Sequence, residues 1–308
     1  MQRVLTTVTL LGLLVATAAA FAITEHLKLI KSPVYGTLVS KVFSPVCHCG
    51  TAKATIQIRL RHPDRVTLKI LSGSRTVATI ASNAHRPARR HLHFHWDGRT
   101  DTGSRAPDGV YYAEVHLANA RHTIVLPNRI VLDTRIPEVL SASSAKPVLF
   151  AGPGRSVAIR YAFGEPAHAV VYLHGRQIIR GRPTRQSHQV KWAGTLAGRP
   201  LRAGRYVLSV GARDDAGNET PVAARKQIRV VVRYIGVTPH RLTVRAGRHF
   251  AVDVETGFSR YTWHIGHRRG AQRKKVLRLR APTTPGTYRL SVAVGGHSAA
   301  ALVRVRAR

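Results

Sequence analysis

The sequence predicts an all-β protein, with tandem β-sandwich domains behind one N-terminal apolar helix. Three observations carry that expectation. Apolar and polar residues alternate with a period of two over many short runs, as in Ala54, Ile56, Ile58 and Leu60 against Thr55, Gln57, Arg59 and Arg61, which is the pattern of a half-buried strand. One segment, Trp96 to Val115 (WDGRTDTGSRAPDGVYYAEV), returns 96 residues later: Trp192, Gly194, Gly198, Gly204 and Tyr206 follow the order of Trp96, Gly98, Gly103, Gly109 and Tyr111, with one residue deleted. A fainter third copy, Pro285-Gly286-Thr287-Tyr288, precedes the alternating Leu290, Val292 and Val294. That period is far too long for a solenoid and suits sandwich domains of ~100 residues. Beyond residue 25 no stretch has the length and periodicity of an amphipathic helix.

Taken in order, the chain starts with a short basic segment and then an uncharged run, Val4 to Thr24. Its 21 residues come close to the ~20 needed to cross a bilayer. Residues 1–25 are therefore read as a signal anchor or a signal peptide. Ala20-Phe21-Ala22 fits a cleavage site, whereas the length of the run favours retention. Either way the body is expected outside the cytoplasm, membrane-anchored with extracytoplasmic domains or secreted after cleavage. Residues 26–50, with Pro33, Gly36 and Pro45, read as a juxtamembrane connector. The first domain is placed at 51–135. Pro63-Asp64 and Ser72-Gly73-Ser74 separate its strands, and Leu92, Phe94 and Trp96 oppose His91, His93 and His95. The second is placed at 136–234, with a hairpin tipped by His174-Gly175 and a turn at Asp214 to Asn218. The third, 235–308, holds Phe250/Val252/Val254 and Tyr261/Trp263/Ile265.

WDGRTDTGSRAPDGVYYAEV closely resembles the W-D-G-x-x-x-x-G-x-x-x-P-x-G-x-Y segment of the FlgD-type Ig-like domain of the flagellar hook-capping protein, a domain also found in many secreted bacterial proteins. The resemblance covers roughly residues 53–133. Residues 136–234 look like a divergent relative or a generic bacterial Ig-like domain, and 235–308 are generically Ig-like. The resemblance implies an Ig-like sandwich in which Trp96, Gly98, Gly109 and Tyr111, and their counterparts Trp192, Gly194, Gly204 and Tyr206, are structural. It supplies no catalytic residue. Nothing in the chain resembles the hook-capping N-terminal segment.

Composition adds a strong bias of sign. Of 308 residues, 49 are Lys or Arg and 14 Asp or Glu, a formal net charge of +35. Such a field favours anionic partners; the alternative is a biased composition spread over solvated strand faces. The densest basic stretch, His267 to Lys275 (HRRGAQRKK), holds Arg268, Arg269, Arg273, Lys274 and Lys275 and reads as a loop that binds anions. Arg304, Arg306 and Arg308 lie on one face of the last strand. Anionic cell-envelope polymers or lipid headgroups are the expected partners, with the membrane reached through Val4–Thr24. Specific nucleic-acid readout is not expected, because no aromatic residue interleaves that charge.

Other candidates are weaker. His91, His93 and His95, with Asp97, share a strand face that could chelate a divalent ion. Asp97, Asp101 and Asp108 could offer oxygens to calcium, although Asx-turn chemistry explains all three. The two cysteines, Cys47 and Cys49, flank His48; a local bridge, an intermolecular bridge and free thiols all remain open, and a zinc site would need further ligands such as His62. No G-x-S-x-G elbow, H-E-x-x-H or phosphate-cradling glycine loop is present, and Ser298 beside His297 is no triad. The expectation is a protein without enzymatic activity or cofactor. Its Ig-like domains would bind or space something at the cell surface. The alternative is a component of a flagellar hook-type or other surface-appendage or secretion assembly.

Overall fold

The structure is a computed structural model of the chain and describes residues 11–22, 32–182 and 184–307. Residues 11–22 form an α-helix. Among the described residues no helix is long and apolar enough to cross a membrane, and the remainder of the Val4–Thr24 run expected to span one lies outside them.

Two compact units divide the chain, Met1–Thr134 and Arg135–Arg308. The first builds one sandwich from β1 (Val34–Val39), β2 (Val42–Phe43), β3 (Ala54–Leu60), β4 (Asp64–Ser72), β5 (Arg75–Arg86), β6 (Leu92–Trp96), β7 (Gly109–Leu117), β8 (His122–Val125) and β9 (Ile130–Leu132). One sheet runs β1-β3-β6; the other runs β2-β9-β7-β4-β5, with β8 on β7. The inward positions of the period-two runs, such as Ile56, Ile58, Leu68, Ile70 and Val115, are fully buried between the sheets. Residues 32–50 are not a connector. β1 pairs with β3, β2 lies parallel to β9, and Phe43 is buried in the core. The alternation that marks a strand is broken at Gly36, which takes φ +60 where the β1 register shifts between Tyr35 and Leu38. A bulge resets side-chain parity, so Val34 and Val39 both face inward.

The second unit holds two cores. The first is built by β10 (Val139–Ser144), β11 (Val148–Phe150), β12 (Val157–Leu173), β13 (Arg176–Arg180), β14 (Arg185–Trp192), β15 (Thr195–Leu196), β16 (Arg199–Pro200), β17 (Gly204–Arg213) and β18 (Lys226–Arg233). β12 serves both layers. Its first half pairs with β10 and β14, its second half with β13 and β17, and the pairing shifts between Ala162 and Ala167 around Gly164 and Pro166. The second core lies between sheet β19-β21-β24 and sheet β20-β26-β25-β22-β23. Its strands are β19 (Ile235–Thr238), β20 (Arg241–Arg245), β21 (His249–Thr256), β22 (Tyr261–Ile265), β23 (Arg268–Gln272), β24 (Val276–Arg280), β25 (Gly286–Val294) and β26 (His297–Arg306).

The repeated segment is one local device built twice. Trp96 and Trp192 are 1% and 2% exposed, and their indole N–H groups donate to the carbonyls of Arg99 (2.7 Å) and Thr195 (3.1 Å). Two residues after each indole a glycine takes positive φ against core side chains. A Cβ on Gly98 would meet Leu132 at 3.0 Å, and one on Gly194 would meet Leu149 at 3.0 Å. The hydroxyls of Tyr111 and Tyr206 donate to the carbonyls of Pro107 (2.5 Å) and Arg202 (2.8 Å). The third copy keeps this last part, with Tyr288 donating to Thr284 at 2.9 Å. All three tyrosines follow a glycine by two residues, and each ring passes over that glycine.

Within the second unit the two sandwiches meet through bare backbone. A Cβ on Gly152 would lie 2.5 Å from the carbonyl carbon of Gly257. Beside it Tyr234 stacks on His297 with centroids 3.9 Å apart, and Thr256 donates to the Tyr234 carbonyl. This stack accounts for the His297-Ser298 pair, whose histidine is a packing residue.

Two substitutions test this packing. Trp96→Ala should lower the stability of the first sandwich by about 3–5 kcal/mol, read by far-ultraviolet circular dichroism in denaturant; an unchanged midpoint would separate Trp96 from the core. Gly152→Ala should force the glycine contact apart, destabilising the second unit by about 1–3 kcal/mol, and calorimetry should show two unfolding transitions where the parent protein is expected to show one.

Candidate anion-binding surface

With 14 carboxylates against 49 cations, where the carboxylates point decides where positive charge is left uncompensated. Most of the carboxylates among the described residues lie in loops or at strand ends. Asp64 is buried and accepts from the backbone amides of Arg65, Asn119 and Ala120 at 2.7, 2.8 and 3.0 Å. Asp101 accepts from Thr79 N (2.7 Å), Asp108 from Thr134 N and Oγ1, and Asp97 from Arg99 N. The three aspartates considered for calcium thus clamp three different segments and do not gather. Asp214 accepts from the amides of Gly217 and Asn218 in a buried turn.

Glu219 sits in a closed network. Arg225 donates to it at 2.9 Å, Arg213 forms a second ion pair with it, and the Tyr172 hydroxyl donates to it as well. The Arg225 guanidinium lies 3.8 Å from the Tyr172 ring centroid, a cation–π contact. Lost solvation first, then the hydrogen bond to Glu219 and its charge, push the Tyr172 hydroxyl up to about 12. A group whose folded value is raised stabilises fully below its unfolded value of 10.0, and that contribution is lost as pH rises through the folded value. The stability of the second unit should accordingly fall between about pH 10 and pH 12. In Tyr172→Phe that part of the alkaline limb should be missing from a denaturation series.

His91, His93 and His95 lie exposed on the outer face of β1-β3-β6. They engage local partners. The Arg59 guanidinium lies against His91, the His91 and His93 rings stack 6.2 Å apart, and His95 Nδ1 pairs with Thr55 Oγ1 at 3.2 Å. Asp97 turns away toward Arg99. Among the described residues no group of three or more His, Cys, Asp or Glu side chains converges to hold a metal.

The basic stretch His267 to Lys275 is not a single loop. The turn is Gly266-His267, and Arg268–Gln272 forms the edge strand β23, paired to β22. A strand sends successive side chains to opposite faces, so Arg268 and Arg269 diverge. Arg268 donates to the Arg280 carbonyl at 2.6 Å. Gly270 faces Trp263, whose indole leaves 2.9 Å for a Cβ there. Arg273, Lys274 and Lys275 follow in an exposed bend capped by Gln272 Oε1, which accepts from Arg273 N (2.9 Å) and Lys274 N (3.3 Å). Such a basic edge resists pairing with another strand.

Pairing builds a broader cationic surface that no single stretch of sequence contains. β20 lies parallel to β26, placing Arg245 beside Arg306 and Thr243 beside Arg304; Arg241 and Arg289 both lie level with Leu302. Arg269 pairs with His264 two strands further on. Inward residues such as Val303, Val305 and Leu290 are buried, so Arg241, Arg245, Arg269, Arg289, Arg304 and Arg306 share the outer face of the five-stranded sheet. Five strands make that face about 19 Å wide. The two carboxylates of residues 235–308, Asp253 and Glu255, are on β21 in the other sheet. Like charges opposite one another destabilise a sheet, and Arg245 beside Arg306 has no acidic neighbour on this face to offset it. Arg308, expected to extend the row, lies outside the described residues.

No family model and no curated protein matches the chain. Among solved structures it is similar to the fibronectin(III)-like modules of Clostridium thermocellum CbhA (13% identity, TM-score 0.35, covering 65% of this chain and 93% of that one). It is similar also to titin domains I67–I69 (10%, TM-score 0.30, covering 90% and 99%) and to Bacteroides ovatus SGBP-B in complex with a mixed-linkage heptasaccharide (12%, TM-score 0.30, covering 91% and 69%). These values are too low to argue a function. The all-β tandem Ig-like fold stands on the chain's own strands and pairings.

Proposed function

We propose that the chain is a non-catalytic cell-envelope protein, anchored in the membrane or secreted. Its Ig-like domains bind or space something at the cell surface, and the last of them binds anionic envelope polymers or lipid headgroups. The observation that carries this reading is the carboxylate-free outer face of β20-β26-β25-β22-β23 with its six arginines. Arginine forks match carboxylate and phosphate oxygens bidentately, and an array about 19 Å across fits a chain of anions better than one small ion. Each cation near an anionic surface contributes about 1 kcal/mol and is screened beyond a Debye length of ~8 Å at physiological salt, so affinity arises only from many contacts together.

Co-sedimentation of the protein with cell walls and with anionic vesicles across a salt series tests this. Binding should fall steeply as salt rises, and replacing Arg241, Arg245, Arg304 and Arg306 with Ser should abolish most of it. Replacing Arg268, Arg269, Arg273, Lys274 and Lys275 with Ser should weaken it further. Binding indifferent to salt and to both sets would return the charge to a compositional bias. A second reading, a component of a hook-type appendage or secretion assembly, is favoured by the FlgD-type resemblance of residues 53–133. Stable co-purification with appendage components would select it.

A further inference from the structure

Cys47 and Cys49 are joined in a disulfide, which closes the alternatives left open by the sequence. The bridge connects no two strands. The turn it spans is already held by backbone hydrogen bonds from Ser44 N to Thr51 O (3.0 Å), Cys47 N to Ser44 O (3.3 Å) and Ala52 N to Cys49 O (3.1 Å). A bridge between residues two apart also constrains the unfolded chain very little, because that effect grows with loop length. As a structural staple it is nearly redundant.

Its surroundings suit chemistry better. Cys47 and Cys49 are half-buried, and His48 between them is exposed. His48 takes φ +48, in the left-handed region. The two sulfurs are not equivalent. Thr51 Oγ1 lies 2.9 Å from Cys49 Sγ and 3.7 Å from Cys47 Sγ. Neither sulfur of a disulfide carries a proton, so in these contacts the hydroxyl is the group able to donate, and Cys49 Sγ is the nearer acceptor. A donor aimed at Cys49 stabilises the thiolate form of that sulfur, and the better-stabilised thiolate is the better leaving group in exchange.

We propose that Cys47–Cys49 is an exchangeable disulfide that accepts two electrons from an external dithiol, opened by attack at Cys47. A thiolate of the dithiol attacks Cys47 Sγ, forming a mixed disulfide. The Sγ–Sγ bond breaks, and Cys49 leaves as a thiolate held by the Thr51 hydroxyl. The second thiol of the dithiol then attacks its own sulfur in the mixed bond and releases Cys47. The dithiol ends as a disulfide, and its two protons end on Cys47 and Cys49. This activity is independent of the arginine face.

The test equilibrates the full-length folded protein with glutathione buffers of varied reduced-to-oxidised ratio and counts thiols by maleimide mass shift. The bridge should open in buffers that leave structural disulfides closed. Exchange rates with dithiothreitol should fall about three- to tenfold in Thr51→Val, which removes the donor to the leaving sulfur. The double variant Cys47→Ser/Cys49→Ser should melt at the wild-type temperature. A bridge that stays closed until the protein unfolds, a Thr51→Val variant exchanging at the wild-type rate, or a clear loss of melting temperature in the double variant each overturns the proposal.

Discussion

The first sandwich depends on how Trp96 is seated. Its ring fills the end of the core between Phe43, 5.3 Å away centroid to centroid, and Tyr111, which meets it edge-on at 4.8 Å. A buried indole N–H needs an acceptor, and the Arg99 carbonyl supplies it only if the chain turns back at once. Gly98 makes that turn at φ +78, where a side chain would strike Leu132, Pro45 and Phe43. The long loop to β7 then closes on Ala106 N to Gly98 O and on Tyr111 to the Pro107 carbonyl. Trp192, Gly194 and Tyr206 solve the same problem in the second sandwich. The third has no such tryptophan and retains the glycine–tyrosine corner alone.

A second constraint is the shortage of carboxylates. Loops rich in unpaired amides bind them first: Asp64 and Asp214 inside turns, Asp101 and Asp108 across segments. Glu219 is enclosed by two arginines and Tyr172. The strands hold Asp64, Glu114, Glu165, Asp253 and Glu255, none of them in β20, β22, β23, β25 or β26, and arginine is the common outward partner of an inward valine or leucine. A sheet whose outer face is arginine at alternate positions is therefore cationic as a whole, and its field depends on pairing register more than on local clustering.

The proposed spacer and the proposed exchange site draw on different parts of the molecule. The arginine face is carried by a well-filled core that holds its rows in place, and the glycine contact at Gly152 and Gly257 with the Tyr234–His297 stack joins that core to its neighbour. The cysteine turn belongs to the first unit, between β2 and β3, and its own residues Cys47, His48 and Cys49 are half-buried or exposed.

What the sequence determined by itself was everything that repeats locally. The alternation of Ala54 to Leu60 marked a strand, and the spacing of Trp96, Gly98, Gly109 and Tyr111 against Trp192, Gly194, Gly204 and Tyr206 marked equivalent corners, because both patterns are imposed within one strand or one turn. The tertiary structure alone decided what depends on partners distant in the chain. β1 was hidden by the bulge at Gly36, since a bulge erases the period that reveals a strand. RRGAQ became an edge strand because β22 offers it a ladder, although it carries no alternation of its own. Cys47 and Cys49 had three possible fates until the turn from Ser44 to Thr51 brought their sulfurs together. The arginine face was invisible for the plainest reason: Arg245 and Arg306 are neighbours only through the parallel register of β20 with β26. Backbone pairing sets such a register between segments that share no local pattern.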